Sequence, residues 1–588
     1  MIARSFRYAL SSLSLCVALS VNCFAADVLN HLPENALGFA LAQDLEQVDA
    51  KVQQFTKLFS IDGVPAPLMF LNLATGLNEG LDRNGDLMLA MLPGEEVSSD
   101  PIPMLLLPVT DYAKFVAPIE GDGTGEISRV TIAGEEVLIA GQGKFALLMN
   151  LENRELMESL VALEPHAHSD VKLLENWIAE NDVVISVMPA GVKTISKLGR
   201  DSLEEEIEST EARLENVDDP EQLKMMEPAM RALKFYDRIL VAGPEEIESA
   251  SVGLAMDEQQ NLKVSDRIVL TENGQLAAAP LAKPLPSSPL SDYADQPIVG
   301  AGGGPMPAEW TQKLSLLAHT FVKNNPEIYG LEEIDEAEWA KAEKSWEQSI
   351  RDLRGMSLVV LPGKDEEPIY SNLFSVLTVV NSDSYLESYR EGIEAWNSVM
   401  SQSTNDMSFH YEIEDVTIAG KSGMVMMLDV MEMMGEQEMA PIRQMMKAMF
   451  GADGKLRIYL VKIDETRLFS GVATEEQIET LIEASVSDNP TLDKNENILT
   501  TLKQLDSGAQ WMGVVSPQGV MQWFERMMTM VMRQFGGGMM PQFADYPPAP
   551  PVGLALRIEG RLIASEMVWP SETLSGLADY IQAMEEAN

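Results

Sequence analysis

The chain has 588 residues, and its 42 Lys+Arg against 91 Asp+Glu leave a formal net charge of −49. Charge of that sign repels phosphate backbones and anionic bilayer surfaces, which argues against nucleic acid and membrane surfaces as partners. A hydrophobic content of 46% is too high for a disordered acidic tail, and the length allows several domains.

Residues 1–25 read as a signal peptide. Arg4 and Arg7 supply a positive start, Ala9 to Val21 an apolar stretch, and Cys23-Phe24-Ala25 small residues at the positions before a cleavage site. A run of about 13 apolar residues is too short to span a bilayer. Export to a periplasmic or extracellular location is therefore expected, and no later stretch has the length of a transmembrane helix. Neither Cys16 nor Cys23 stands in a good lipobox. Both cysteines lie in the leader, so a cysteine-free mature chain is expected, without disulfides, thiolate zinc sites or cysteine nucleophiles.

Asp44-Leu45-Glu46-Gln47 resembles a capping box, and Leu45, Val48, Val52, Phe55 and Leu58 follow at helical spacing. Asp82-Arg83-Asn84-Gly85-Asp86 looks calcium-like, but its glycine is fourth where an EF-hand needs it sixth. Asn84-Gly85 ahead of the strand Leu87–Leu92 is better read as a turn. Ile127–Ile132, an Ala-Gly turn and Val137–Ala140 make a hairpin around VTIAG at 130–134. His166 and His168 could project to one side of a strand, although no third ligand is near. Ser169 and Lys172 match S-x-x-K, and Ser487-Asp488-Asn489 matches S-D-N, yet no K-T-G follows.

The stretch 279–297 carries five prolines and reads as a linker. GAGGGPMP at 300–307 is not G-x-G-x-x-G, and its glycines suit a tight turn or a close backbone approach. His319 sits in an apolar helical run, and Trp339, Trp346, Ile350 and Leu353 place an apolar face on the next helix. His410–Ile418 and Met424–Val430 form a second hairpin around VTIAG at 416–420. His31 and His410 have no nucleophile or carboxylate constellation around them. The 36 methionines concentrate at 424–449 and 521–540. Helix-core packing explains Met439, Ile442, Met446 and Met449, and likewise Met521, Phe524, Met528, Val531 and Phe535. An adaptable apolar groove and a thioether copper site are the alternatives.

VTIAG is one of several echoes that keep their order. LPG recurs at 92–94 and 361–363, VISVMPAGV at 184–192 resembles MGVVSPQGV at 512–520, and VGLA recurs at 252–255 and 552–555. These imply a tandem duplication of a domain-sized unit. The expected organisation is a leader at 1–25, a first lobe at 26–278, a linker at 279–297 and a second lobe at 298–588, with possible subdivisions near 170 and 490. The expected fold class is α+β, with two tandemly duplicated lobes of mainly antiparallel sheet and helices packed on one face.

The order LPENALGFALAQDLEQVDAKV, MLLLPVTDYAKFV, VTIAG and AGGGPMP resembles a group of uncharacterised, secreted, tandem-repeat bacterial proteins common in planctomycetes. That resemblance implies export and duplication, and carries no activity or catalytic residue with it. The chain has no G-x-S-x-G elbow, P-loop or H-E-x-x-H. We therefore expect no catalytic, cofactor-binding or metal-binding residue, and a non-enzymatic binding or scaffold protein of the cell envelope. Its expected partner is a protein, peptide or envelope component. An exported hydrolase whose site is assembled from distant residues is the alternative, with a Met-rich metal binder as a third reading.

Overall fold

The computed structural model describes residues 26–587 apart from 62–64, 76–78, 95–99, 167, 215–219, 278–281, 327–330, 332–334, 365–366, 403–409, 431–439, 452, 487–488 and 535–542. The signal-peptide reading of 1–25 lies outside the described residues. The expectation of a cysteine-free chain is corrected, because the chain carries two cysteines, Cys16 and Cys23. That expectation depended on removal of the first 25 residues, so the exclusion of thiol chemistry does not hold for the chain as it stands.

The chain divides into two compact units. Unit 1 comprises Met1–Glu205 and Asp237–Thr271, and unit 2 comprises Glu206–Tyr236 and Glu272–Asn588. Positions 170 and 490 lie inside units 1 and 2 respectively.

Unit 1 begins with strand β1 (Gly38–Ala42), followed by helices α1 (Leu45–Leu58) and α2 (Pro67–Thr75). Asp44 starts α1 by accepting a hydrogen bond from the Gln47 N–H, which satisfies one of the free donors of the first turn. Val48 and Val52 of α1 pack on Val183. Strands β2 (Leu87–Leu92) and β3 (Ile102–Pro108), helix α3 (Tyr112–Val116), and strands β4 (Ser128–Ile132), β5 (Glu135–Gln142) and β6 (Phe145–Asn150) come next. Helices α4 (Arg154–Val161) and α5 (Ser169–Ala179) and strands β7 (Val183–Val187), β8 (Ile247–Met256) and β9 (Leu262–Leu270) complete the series, and between β7 and β8 run the long helices α6 (Pro189–Leu214) and α7 (Pro220–Glu246), whose residues 206–236 belong to unit 2. All strand pairs are antiparallel, in the order β9-β8-β7-β1-β2-β3-β6-β5-β4.

In unit 2, strand β10 (Gly300–Pro305) precedes helices α8 (Ala308–Asn324) and α9 (Glu336–Asp352). Strands β11 (Leu353–Val360) and β12 (Leu373–Val379), helix α10 (Ser382–Met400), strands β13 (Tyr411–Ile418) and β14 (Lys421–Asp429), helix α11 (Ala440–Phe450), and strands β15 (Lys455–Lys462) and β16 (Arg467–Val472) follow. Helices α12 (Glu475–Val486) and α13 (Glu496–Leu502), strand β17 (Trp511–Val515), helix α14 (Pro517–Gln534), strands β18 (Val552–Glu559) and β19 (Leu562–Trp569), and helix α15 (Ser571–Ala587) end the chain. The order is β19-β18-β17-β10-β11-β12-β16-β15-β14-β13, again antiparallel throughout.

Both VTIAG segments end in the same two-residue turn. Ala133 and Gly134 have φ of 53° and 85°, and Ala419 and Gly420 have 48° and 70°. Positive φ at both central residues matches the right-handed twist of the strands they join.

Packed helices on one face of the sheet were expected, and the structure covers both. In unit 2, Phe374, Val376, Val425, Met427, Tyr459, Val461 and Phe469 form one core with Ile478, Leu481 and Ile498. The alternate residues Leu377, Val379, Met424, Met426, Leu460 and Leu468 form another with Tyr385, Tyr389 and Ile393 of α10. The signal is in the runs FALLMN and MVMML, which are apolar without a break instead of alternating.

The proline-rich stretch expected as a linker contributes to the first of these cores, through Leu290 and Tyr293. Pro289 lies over β10, and the glycines of GAGGG make this possible. A Cβ on Gly303 would stand 2.7 Å from Pro289 Cβ and 2.6 Å from Met356 O, while one on Gly302 would meet the Trp511 ring at 2.7 Å. The stretch is therefore a strand with close approaches on its two faces, and the tight-turn alternative is set aside. Among the described residues, no helix is long and apolar enough to cross a membrane.

Gly303→Ala should lower the stability of unit 2 by roughly 2–3 kcal/mol through overpacking. Gly243→Ala, on a helix with nothing within 4 Å of the added methyl, should be neutral or stabilise by about 0.5–1 kcal/mol. Urea unfolding of both variants checks the contrast.

Candidate functional site

The residues that sequence alone made conspicuous are dispersed. His31 packs edge-on against Phe145 with ring centroids 5.2 Å apart, and burial lowers its pKa. His166 Nε2 is 3.9 Å from Glu34, His168 is buried, and His410 is exposed. His319 sits beside Trp339 and Trp346, at 5.9 and 6.3 Å, and burial again lowers its pKa. Ser169 and Lys172 both lie in the first turn of α5, and Ser487 and Asp488 fall outside the described residues. Of the methionine clusters, 431–439 and 535–542 also fall outside. Met424 and Met426 are strand residues in the core of unit 2.

The loop at 82–86 caps a helix. Gly85 O and Arg83 O accept from the N–H groups of Leu45 and Glu46, and Asp86 Oδ1 accepts from the Asp44 N–H at 3.1 Å. Burial pushes the Asp86 carboxyl up to about 6, and neighbouring Asp44 and Asp82 add to the rise. Among the described residues, no group of three or more His, Cys, Asp or Glu is arranged to hold a metal ion.

Two sites of more substance were not singled out by the sequence. The first is a buried polar network in unit 1. Asp182, fully buried, precedes β7 and stands 3.5 Å from Lys51 of α1. Its Oδ2 accepts from the Met256 N–H at 3.1 Å, and Lys51 Nζ donates to Met256 O at 2.8 Å. Together the pair clamps both backbone groups of the last residue of β8. Gln43 Nε2 donates to Ile178 O and Asn181 O, both at 2.5 Å, and Trp177 Nε1 donates to Ser265 Oγ at 2.9 Å. Burial raises Asp182 to about 7 against the attraction of Lys51, and burial also lowers Lys51.

A buried acid with so raised a value is a catalytic candidate on general grounds. Unit 2 contains a neutral arrangement with similar backbone contacts. Gln510 precedes β17 as Asp182 precedes β7. Its Nε2 donates to Ile558 O at 2.9 Å, and its Oε1 accepts from the Ile558 N–H at 3.2 Å. One neutral amide there makes the two contacts that Asp182 and Lys51 share in unit 1. The ion pair is thus a strand clamp.

The second site is a recess of about 260 Å³ in unit 2, lined by Met521 and Glu525 of α14, by Phe543, Asp545 and Tyr546, and by Tyr580 of α15. Tyr546 and Tyr580 are 6% and 8% exposed, and their ring centroids lie 5.3 Å apart. The Tyr546 hydroxyl donates to Thr573 O at 3.3 Å, which fixes that ring. Phe543 is held edge-on by Phe524, with centroids 5.9 Å apart. Glu525, Asp545 and Pro548 are exposed and form the rim. The methionine cluster at 521–540 thus contributes Met521 to a small cavity wall. The aromatic partners came from segments too far away in sequence to be read together. In comparisons with protein-family models, curated proteins and solved structures, nothing matches the chain.

The clamp has a pH signature. Asp182 moves from an ordinary value of 3.8 to about 7 on folding, so the folded chain binds this proton more tightly than the unfolded one. The associated stability is complete below about pH 4 and is lost as pH rises through about 7. Relative to Asp182→Asn, the wild type should lose on the order of 3 kcal/mol between pH 4 and pH 8. Chemical denaturation of both chains checks this, and a pH-independent difference contradicts it.

Proposed function

We propose that the chain is an exported, non-enzymatic binding protein of the cell envelope, built from two duplicated units, and that it binds through the recess in unit 2. The duplication is supported by strand order. The series β9-β8-β7-β1-β2-β3 has its counterpart in β19-β18-β17-β10-β11-β12, position by position. The hairpin β4–β5 then matches the start of β13–β14, with the same Ala-Gly turn conformations. Unit 2 carries one strand more in this region, where α11 separates β14 from β15. The insertion brings part of the methionine cluster at 424–449 with it.

The binding reading is carried by the recess itself. Aromatic and thioether groups converge on a small cavity whose rim is open and polar, the usual pattern of a recognition site. Its volume of about 260 Å³ falls below the roughly 300–1,000 Å³ of pockets that enclose a drug-sized ligand. It suits one side chain or one end group of a larger partner. Methionine in the wall adapts to the shape of what enters.

The test uses the full chain as bait for envelope components, beside a Met521→Trp variant that fills the recess. A component retained at near-equal stoichiometry by the wild type and lost from the variant is the expected result. Equal retention by the two chains, or no retention by either, contradicts binding through the recess.

A further inference from the structure

We infer that the recess in unit 2 receives a cationic end group, an alkylammonium or guanidinium, presented as a Lys or Arg side chain by a basic segment of a partner protein. This rests on the binding reading above and names the chemistry of its ligand.

Three observations converge. First, the lining is partly aromatic: Tyr546, Tyr580 and Phe543 all border the cavity, beside Gln518 and Gln522. The faces of such rings attract cations, more strongly where water is excluded. Second, the rim is anionic and uncompensated. Glu525 and Asp545 both line the recess, and among the described residues neither forms an ion pair with a Lys, Arg or His. Elsewhere in unit 2, exposed carboxylates such as Asp453 and Asp383 do pair, with Arg457 and Lys462. Third, Tyr580 lines the same cavity as Glu525. Burial, and after it the charge of Glu525, raises the pKa of the Tyr580 hydroxyl. A cation seated on the rings would meet both the phenol oxygen and the rim carboxylates.

The size of the recess limits what can enter. It accommodates the tip of one long side chain, with the aliphatic stem passing Met521 and Pro548. An anionic ligand would face the two carboxylates and the net charge of −49. That same charge draws basic segments toward the whole chain from solution, and salt screens the attraction. The recess supplies the specific contact once they arrive.

The test titrates the full chain with three fluorescent ten-residue peptides that alternate serine with arginine, with norleucine, or with glutamate. The wild type is compared with the double variant Glu525→Gln/Asp545→Asn and with Met521→Trp, after matching circular dichroism and melting temperature. The net charge alone attracts the arginine peptide, so the readout is the difference between chains. Removing two of 91 acidic side chains barely alters that background. The expected result is that the arginine peptide binds the double variant about tenfold more weakly than the wild type, and that Met521→Trp weakens it at least as much. If the norleucine peptide binds as well as the arginine peptide and is lost only in Met521→Trp, the cationic assignment fails while binding through the recess stands. If no peptide distinguishes Met521→Trp from the wild type, both fail.

Discussion

Each unit hangs on a strand that is paired on both sides. β1 has its neighbours in β2 and β7, and β10 has its neighbours in β11 and β17. The strand that closes each pairing arrives after well over a hundred residues of intervening chain. Until it arrives, one edge of the central strand has unsatisfied N–H and C=O groups, which are costly to bury unpaired. The register of this closure fixes where the following helix starts, since Pro189 opens α6 and Pro517 opens α14 two residues after the last pair. It also places the residue before the closing strand, Asp182 or Gln510, against the end of the next strand. The clamp and the recess are both consequences of that geometry.

The two solutions to the clamp show how the same backbone requirement is met at different electrostatic cost. A glutamine amide donates and accepts without net charge. The Asp182–Lys51 pair reaches the same two backbone atoms but must desolvate two ions, and its shifted protonation records that penalty. The glycine strand β10 is a comparable local solution. Where β1 carries Phe39 and Leu41, β10 carries Ala301 among four glycines, and the space released is filled by Trp511 on one face and Pro289 on the other. Unit 2 thus draws the proline-rich stretch into its own core.

Much of the local structure was legible in the sequence. VTIAG announced its hairpins because β-branched residues and a flexible Ala-Gly pair admit few other conformations. The helix at 45–58 announced itself through Asp44 and the spacing of Val48 and Val52. Three features were hidden for physical reasons. The two-sided burial of β6 and β14 produces unbroken apolar runs, and periodicity cannot tell such runs from buried helix. The pairing of β3 with β6 and of β12 with β16 is a matter of long-range register, which no local pattern encodes. The recess draws on Met521, Phe543, Tyr546 and Tyr580, which lie in α14, in the segment after it and in α15, and become neighbours only in the fold. Asp182 looked like one acid among 91, and only its burial beside Lys51 set it apart.

The central claim is that each unit is organised around a doubly paired strand. Amide hydrogen exchange of the full chain, read by mass spectrometry, tests it most directly. The expected result is that peptides covering 38–42 and 300–304 exchange slowly. They should outlast those covering 128–132 and 411–418, which are paired on one side only within each unit. If the central strands exchanged as fast as these outer ones, the order of pairing described for both units would be wrong.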